Sequence, residues 1–248
     1  MPWANSTVAR LAAGDLASLS DEFCGAVLIC SWPMPAEVIE AYEAFSTKLK
    51  AVMPPEAYIY PAKTLHCTVL TLRAFPGGPL DAAARDALVE AWRPVLVAAR
   101  ANPSWPSGDF TLRMGKPTLE GAAGIFRYED VDGAIGKMRE CLRVAIIDAG
   151  GIPAIGGGDR SQARPLPKFN VQPAPHLPDI VHSTALRWSA EPTSTDAALA
   201  AFTEVAADWK PLDIKVRSTR AVLESTPFMH MPYNDTQASE HGFWRSEE

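Results

Sequence analysis

The sequence is poor in the residues that build metal centres and disulfide frameworks. It has four cysteines and five histidines in 248 residues. Cys24, Cys30, Cys67 and Cys141 form no CxxC pair and no zinc-ligand spacing, and three of them sit in apolar runs, where free cysteine behaves as a small hydrophobe. This argues against a structural zinc site or a disulfide scaffold and predicts a reducing setting, cytoplasmic or nuclear. Positive charge is also in short supply. There are 23 Lys and Arg against 29 Asp and Glu, a net charge of −6, so the basic face expected of a protein that lives on duplex DNA or long RNA is missing. A small phosphorylated ligand, which needs only a local site, stays open. No stretch approaches the roughly 18 consecutive apolar residues of a membrane span. Residues 1–22 lack the basic-then-apolar order of a secretory signal, so none is expected.

What is present is an ordinary globular composition, 47% apolar and 21% charged, in a chain long enough to bury a proper core. Residues 1–22 read as an arm. Cys24 to Cys30 is a nearly continuous apolar run, the pattern of a strand buried on both faces. Pro35 opens a helix whose apolar residues, Val38, Ile39, Tyr42, Phe45, Leu49 and Val52, recur at three-to-four spacing until Pro54-Pro55. A short strand at Tyr58–Tyr60 and a second strand from about Leu65 to Phe75 follow. Then come an Ala-rich helix from about Leu80 to Arg100, which Pro94 is expected to kink, and a strand at Phe110–Met114. From Gly124 the order repeats: a strand at Ile125–Tyr128, a helix from Val131 to Ala149, a strand at about Ile180–Trp188, and a helix from about Thr195 to Trp209. A strand at Leu212–Val216, continuing through Ala221–Leu223, closes the series. The repetition predicts an internal duplication, with one repeat over about 23–118 and the other over about 124–226. Between the second pair of helix and strand lies a Gly/Pro-rich insertion, 151–179, read with equal weight as a lid over a site or a spacer. Residues 234–248 read as a polar tail.

Two hexapeptides stand at equivalent points of the repeats, Leu65-His66-Cys67-Thr68-Val69-Leu70 and Val181-His182-Ser183-Thr184-Ala185-Leu186. Side chains in a strand alternate faces, so His66 and Thr68 share a face, as do His182 and Thr184. A single His-x-Thr is weak, because a lone histidine in an apolar strand is usually a core residue. The pairing in both position and composition lifts the signal. Two imidazoles near their ordinary pKa can serve as base and acid at neutral pH, and the two threonine hydroxyls can donate to the oxygens of a phosphoryl group.

On these motifs the chain resembles the 2H phosphoesterase superfamily, which includes LigT-like 2′-5′ RNA ligases and cyclic nucleotide phosphodiesterases and is defined by two His-x-Thr/Ser motifs. The second motif runs on as Ala185-Leu186-Arg187, like the family's frequent HxTLxR, whereas the first has Leu72-Arg73 slightly further along. The resemblance covers roughly Phe23 to Tyr233 and implies an α+β fold of two pseudo-symmetric lobes. Each lobe would be an antiparallel-rich sheet with outer helices, and the cleft would lie between them. It implies a metal-independent phosphodiesterase without cofactor, acting as a monomer on a small nucleotide or RNA end with a 2′,3′-cyclic phosphate. His66 and His182 would be catalytic and Thr68 and Thr184 phosphate-binding. Cleavage or ligation of 2′-5′ linkages and a non-catalytic nucleotide-binding module are the alternatives. Further candidates for substrate contact are Arg187, set by simple alternation on the wrong face, and His230 and Tyr233 in the late segment Met229–Tyr233. A basic cleft around Arg73, Arg127 or Arg187 would suit a short RNA end.

Overall fold

The computed structural model describes residues 4–16, 19, 24–157, 160–167, 173–231 and 242–246. Helix α1 spans Ser6–Ala12, and Asn5 caps it by accepting the N–H groups of Thr7 and Val8. Strand β1 is Gly25–Cys30 and is buried along its whole length. Helix α2, Ala36–Val52, turns Val38, Tyr42, Phe45 and Leu49 inward and stops at Met53, whose extended backbone is what the following Pro54 demands. Strands β2 (Ala57–Ile59) and β3 (Cys67–Arg73) follow, then helix α3, Ala82–Ala101, which stays one helix through Pro94.

Strands β4 (Phe110–Glu120) and β5 (Ala123–Asp130) form a hairpin whose turn needs a positive φ, supplied by Gly121 at +56°. Helix α4 is Ala134–Asp148. The insertion contributes β6 (Ala154–Ile155) and β7 (His176–Leu177). Then come β8 (His182–Trp188), helix α5 (Thr195–Ala207), β9 (Leu212–Val216), β10 (Thr219–Glu224) and β11 (Gly242–Arg245).

The strands form two sheets, one in the order β11-β10-β1-β3-β7-β6 and the other β2-β8-β5-β4-β9, as an α+β fold with two antiparallel-rich sheets. The sequence repeats and the sheets do not coincide. Strands β2 and β4 of the first repeat join the second sheet, and β6, β7 and β10 of the second repeat join the first. The expected continuation of β9 through Leu223 therefore fails: the chain leaves one sheet at Val216 and enters the other at Thr219.

Three further readings change. Residues 4–12 are no loose arm, since Val8 and Leu11 are buried and Asn5 N–H donates to the Trp188 carbonyl. Residues 242–245 of the supposed tail form the edge strand β11, with Trp244 packed edge-on against Trp105. The insertion extends the first sheet beyond β3, with His176 opposite Thr71, and among its described residues none lines the cleft described below.

Candidate active site

The two motifs meet back to front. Their middle residues, Cys67 and Ser183, are buried, while the flanking His66, Thr68, His182 and Thr184 line a single cleft of about 610 Å³. Period-two alternation produces this division: one face of each strand turns to the cleft and the other to the seam between the sheets. In the seam, Tyr128 Oη donates to Ser183 Oγ at 2.9 Å, and Ser183 Oγ donates to the His66 carbonyl at 2.5 Å. The second motif thus holds the backbone of the first. Cys67 lies opposite Cys30 on β1.

Past each threonine the strand slips by one residue. On β3, Ile29 pairs with Thr68 but Leu28 pairs with Leu70, so Val69 is extra. On β8, Ile125 pairs with Thr184 but Gly124 pairs with Leu186, so Ala185 is extra. A bulge of this kind restores to the original face a side chain that simple alternation would send away. Thr71 and Arg187, each three positions beyond the motif threonine, both line the cleft as a result. The expectation that Arg187 faces the other way is overturned by that one extra residue.

Each bulge is held by a helix of the opposite repeat. Tyr42 Oη of α2 donates to the Ala185 carbonyl at 3.2 Å and to that of Tyr60 at 2.7 Å. Arg139 of α4 donates from Nε to the Val69 carbonyl at 3.2 Å, and from Nη2 to the carbonyls of Thr68 at 3.0 Å and Ile180 at 2.9 Å. None of Tyr42, Tyr128, Arg139 and Ser183 was singled out from sequence for the site. Tyr42 was legible only as a core position of its helix.

His66 Nδ1 lies 2.7 Å from the Thr64 carbonyl. A carbonyl only accepts, so Nδ1 carries the hydrogen and Nε2 is left to exchange protons. Burial lowers the pKa of His66, against a smaller opposing effect of that hydrogen bond. His182 is lowered to about 4, first by burial and then by the charges of His66, Arg187, Arg139 and Arg127. Both rings are therefore neutral at pH 7 without ligand. Arg187 lies with its guanidinium carbon 5.2 Å above the centre of the Phe228 ring. Its Nε and the Tyr60 hydroxyl are both buried at the cleft, where the guanidinium and the phenol interact with each other but neither atom makes a well-aligned hydrogen bond among the described residues. A cleft that pairs unspent donors with lowered imidazoles favours an anion.

No protein-family model matches the chain. No curated protein matches it either. Several solved structures are similar to it. A conserved protein of unknown function from Agrobacterium tumefaciens gives a TM-score of 0.49 at 16% identity, over 93% of this chain and 93% of that one. LigT of E. coli, complexed with NADP+, gives 0.48 at 15% identity, over 90% of this chain and 96% of LigT. A protein of Thermus thermophilus gives 0.46 at 15% identity, over 80% of this chain and 87% of that one. The likeness is one of overall chain path.

The other candidates separate clearly. His230 is buried outside the cleft lining, and both its nitrogens are taken. Nδ1 donates to the Pro227 carbonyl at 2.9 Å, and Nε2 accepts from Tyr58 Oη at 2.9 Å. It braces a turn and does not line the cleft. Tyr233 lies outside the described residues. Arg127 does not line the cleft, because its guanidinium is bound to Glu120 at 2.5 and 2.8 Å. Arg73 reaches the cleft wall but spends its guanidinium on the carbonyls of Cys24, Gly77 and Gly78. Of the three arginines named for a basic cleft, Arg187 and Arg73 line it and each keeps an unpartnered Nε among the described residues, but only Arg73 has its two terminal nitrogens held by backbone carbonyls. Among the described residues no group of three or more His, Cys, Asp or Glu is placed to hold a metal ion, and no helix is long and apolar enough to cross a membrane.

Proposed function

We propose that this protein is a phosphodiesterase of the two-histidine type that opens a 2′,3′-cyclic phosphate on a nucleotide or RNA end, without a metal ion. One observation carries the reading. Two His-x-Thr pairs, contributed by different sheets, line one cleft together with the guanidinium of Arg187.

The chemistry follows from the groups. Water attacks phosphorus as one neutral imidazole removes its proton. The bond from phosphorus to one ribose oxygen breaks, and the other imidazole, as imidazolium, gives that oxygen a proton. The bound phosphodiester makes one ring take up a proton from solvent, because its negative charge raises the pKa of rings that burial and nearby arginines have lowered. Thr68, Thr184 and Arg187 donate to the non-bridging oxygens, whose charge grows in the transition state. The Nδ1–H bond to Thr64 fixes the tautomer of His66, so its proton exchange runs through Nε2.

The test is hydrolysis of the four nucleoside 2′,3′-cyclic phosphates, alongside 2′-5′ dinucleotides, in the presence of a chelator. His66→Ala and His182→Ala should each lower kcat by about 10²–10⁴-fold while thermal unfolding stays near that of the wild type. Thr68→Val or Thr184→Val should cost about 10²–10³-fold. Near-wild-type turnover by both histidine variants would sink the proposal, as would loss of activity on chelation.

A further inference from the structure

One acid in the cleft has no part in this chemistry. Glu224, at the end of β10, is 3% exposed, lines the cleft, and pairs with no cation among the described residues. Its cross-strand neighbour is Gly25, two residues from the cleft-lining Val27 and so on the same face of β1. Glycine there is a spatial necessity. A Cβ on Gly25 would sit 2.9 Å from Glu224 Oε2 and 3.0 Å from the Phe75 ring, so the carboxyl lies across the space that a side chain would fill. Oε1 accepts the N–H of Met229 at 3.0 Å. That N–H belongs to a strained turn, in which Phe228 and Met229 both take positive φ, 57° and 59°. The turn sets Phe228 in the cleft against Phe75, ring centres 5.9 Å apart.

Distance places this corner with respect to the chemistry. Thr68 lies opposite Ile29 on one side of β1, and Glu224 lies opposite Gly25 on its other side, four residues along, so the two backbones are roughly 16 Å apart. A nucleotide held by its phosphate at one end and its base edge at the other, with a side chain reaching in from each, spans a distance of that order. Aromatic faces beside one buried polar reader are how a protein holds and distinguishes a base.

We propose that Glu224 is the base-reading residue of this cleft. Its carboxyl pairs with an edge that offers a ring-nitrogen acceptor beside an exocyclic amino group, as adenine and cytosine do. The proposal rests on the nucleotide reading above. A buried acid with no cation is neutral in preference to charged. Desolvation raises the pKa of Glu224 to about 8, against the smaller effect of the Met229 N–H. At neutral pH the group is then an acid whose Oε1, held by the Met229 N–H, is the acceptor and whose Oε2 carries the O–H donor, an order that suits that edge and not the reversed order of guanine and uracil. Ionised, it only accepts, which suits the two adjacent N–H groups of guanine. The charged and titratable groups around it are Cys24 before β1, with Arg85 against it, Tyr60 after β2, Arg73 on β3 and Arg187 on β8.

The experiment compares kcat/KM across the four cyclic nucleotides at pH 6.5 and pH 9 for the wild type, Glu224→Gln and Glu224→Leu. Ratios between substrates cancel the titration of the shared histidines. At pH 6.5 the wild type and the amide variant should favour adenosine and cytidine over guanosine and uridine by about tenfold, and the Leu variant should lose that preference. At pH 9 the adenosine-to-guanosine ratio should collapse in the wild type and persist in Glu224→Gln. A wild type that treats all four alike overturns the inference, and so does a preference unchanged in Glu224→Leu. Should the Leu variant not fold, the wild-type ratio and the pH contrast with Glu224→Gln decide alone. If no cyclic nucleotide is turned over, the proposed function fails. The same ratios are then read calorimetrically from binding of the four nucleoside 3′-monophosphates, where equal affinities overturn the role of Glu224.

Discussion

At the scale of single residues, the two imidazoles are kept uncharged by their surroundings, and this shapes the expected pH behaviour. The proposed reaction needs one ring protonated and one neutral. In the free protein His182 titrates near 4 and His66 is lowered as well, so the singly protonated form belongs to acidic solution. Since kcat/KM reports the free enzyme and kcat the complex, kcat/KM should fall as pH rises into the neutral range, and the kcat optimum should lie at higher pH. Arg187→Ala removes one of the charges that lowers His182 and none that acts on His66, so it should move the acid limb of kcat/KM upward while raising KM. A profile of kcat/KM that climbs from pH 6 to 8 would show that both rings are charged in the free protein, contrary to their burial. Stability should carry a trace of Glu224. Its pKa is raised on folding, so the folded state holds a proton that the unfolded chain has released between about 4.5 and 8. Wild-type stability should therefore fall with rising pH in that window relative to Glu224→Gln. Equal thermal midpoints across the window would show that the acid is not held neutral.

Among the elements, the paired bulges decide which side chains reach the cleft, and they depend on Tyr42 and Arg139 reaching across from the opposite repeat. Arg139→Met keeps much of the volume but leaves the carbonyls of Thr68, Val69 and Ile180 without their donor. Each orphaned carbonyl costs about 1–3 kcal/mol less whatever water recovers, so a loss of roughly 2–4 kcal/mol is expected in chemical denaturation. Turnover should drop with kcat more than KM, because the cleft-facing Thr68 loses its register. Unchanged stability and kcat would remove Arg139 from that role. The same elements show what a sequence can disclose. Alternation placed His66 with Thr68 and His182 with Thr184 on the correct face, and helical periodicity found the buried side of α2. Alternation failed at Arg187, because a bulge is set by the register of the neighbouring strand and by a donor many residues away. His230 looked available in sequence and proved to be braced by Tyr58, a partner 172 positions distant. Glu224 drew no notice, since only the third dimension reveals that its neighbour is a glycine and that, among the described residues, it forms no ion pair.

Across the whole molecule, the repeated order of elements was legible and the pairing of the strands was not, because a repeat records local order and says nothing of which edge a strand will join. The exchange of β2 and β4 in one direction, and of β6, β7 and β10 in the other, has a consequence for how the chain comes apart. Neither repeat owns a complete sheet, so neither can melt alone. The duplication should behave as one cooperative unit, with a single thermal transition and with the amides of β1 and β8 exchanging through openings of similar free energy. Chains cut in the turn between β4 and β5 should be unfolded when expressed separately and should regain both sheets when expressed together. Two transitions, or a folded half, would contradict it. With its strands exchanged in this way, the chain has no half that could be mutated or lost on its own without unmaking both sheets.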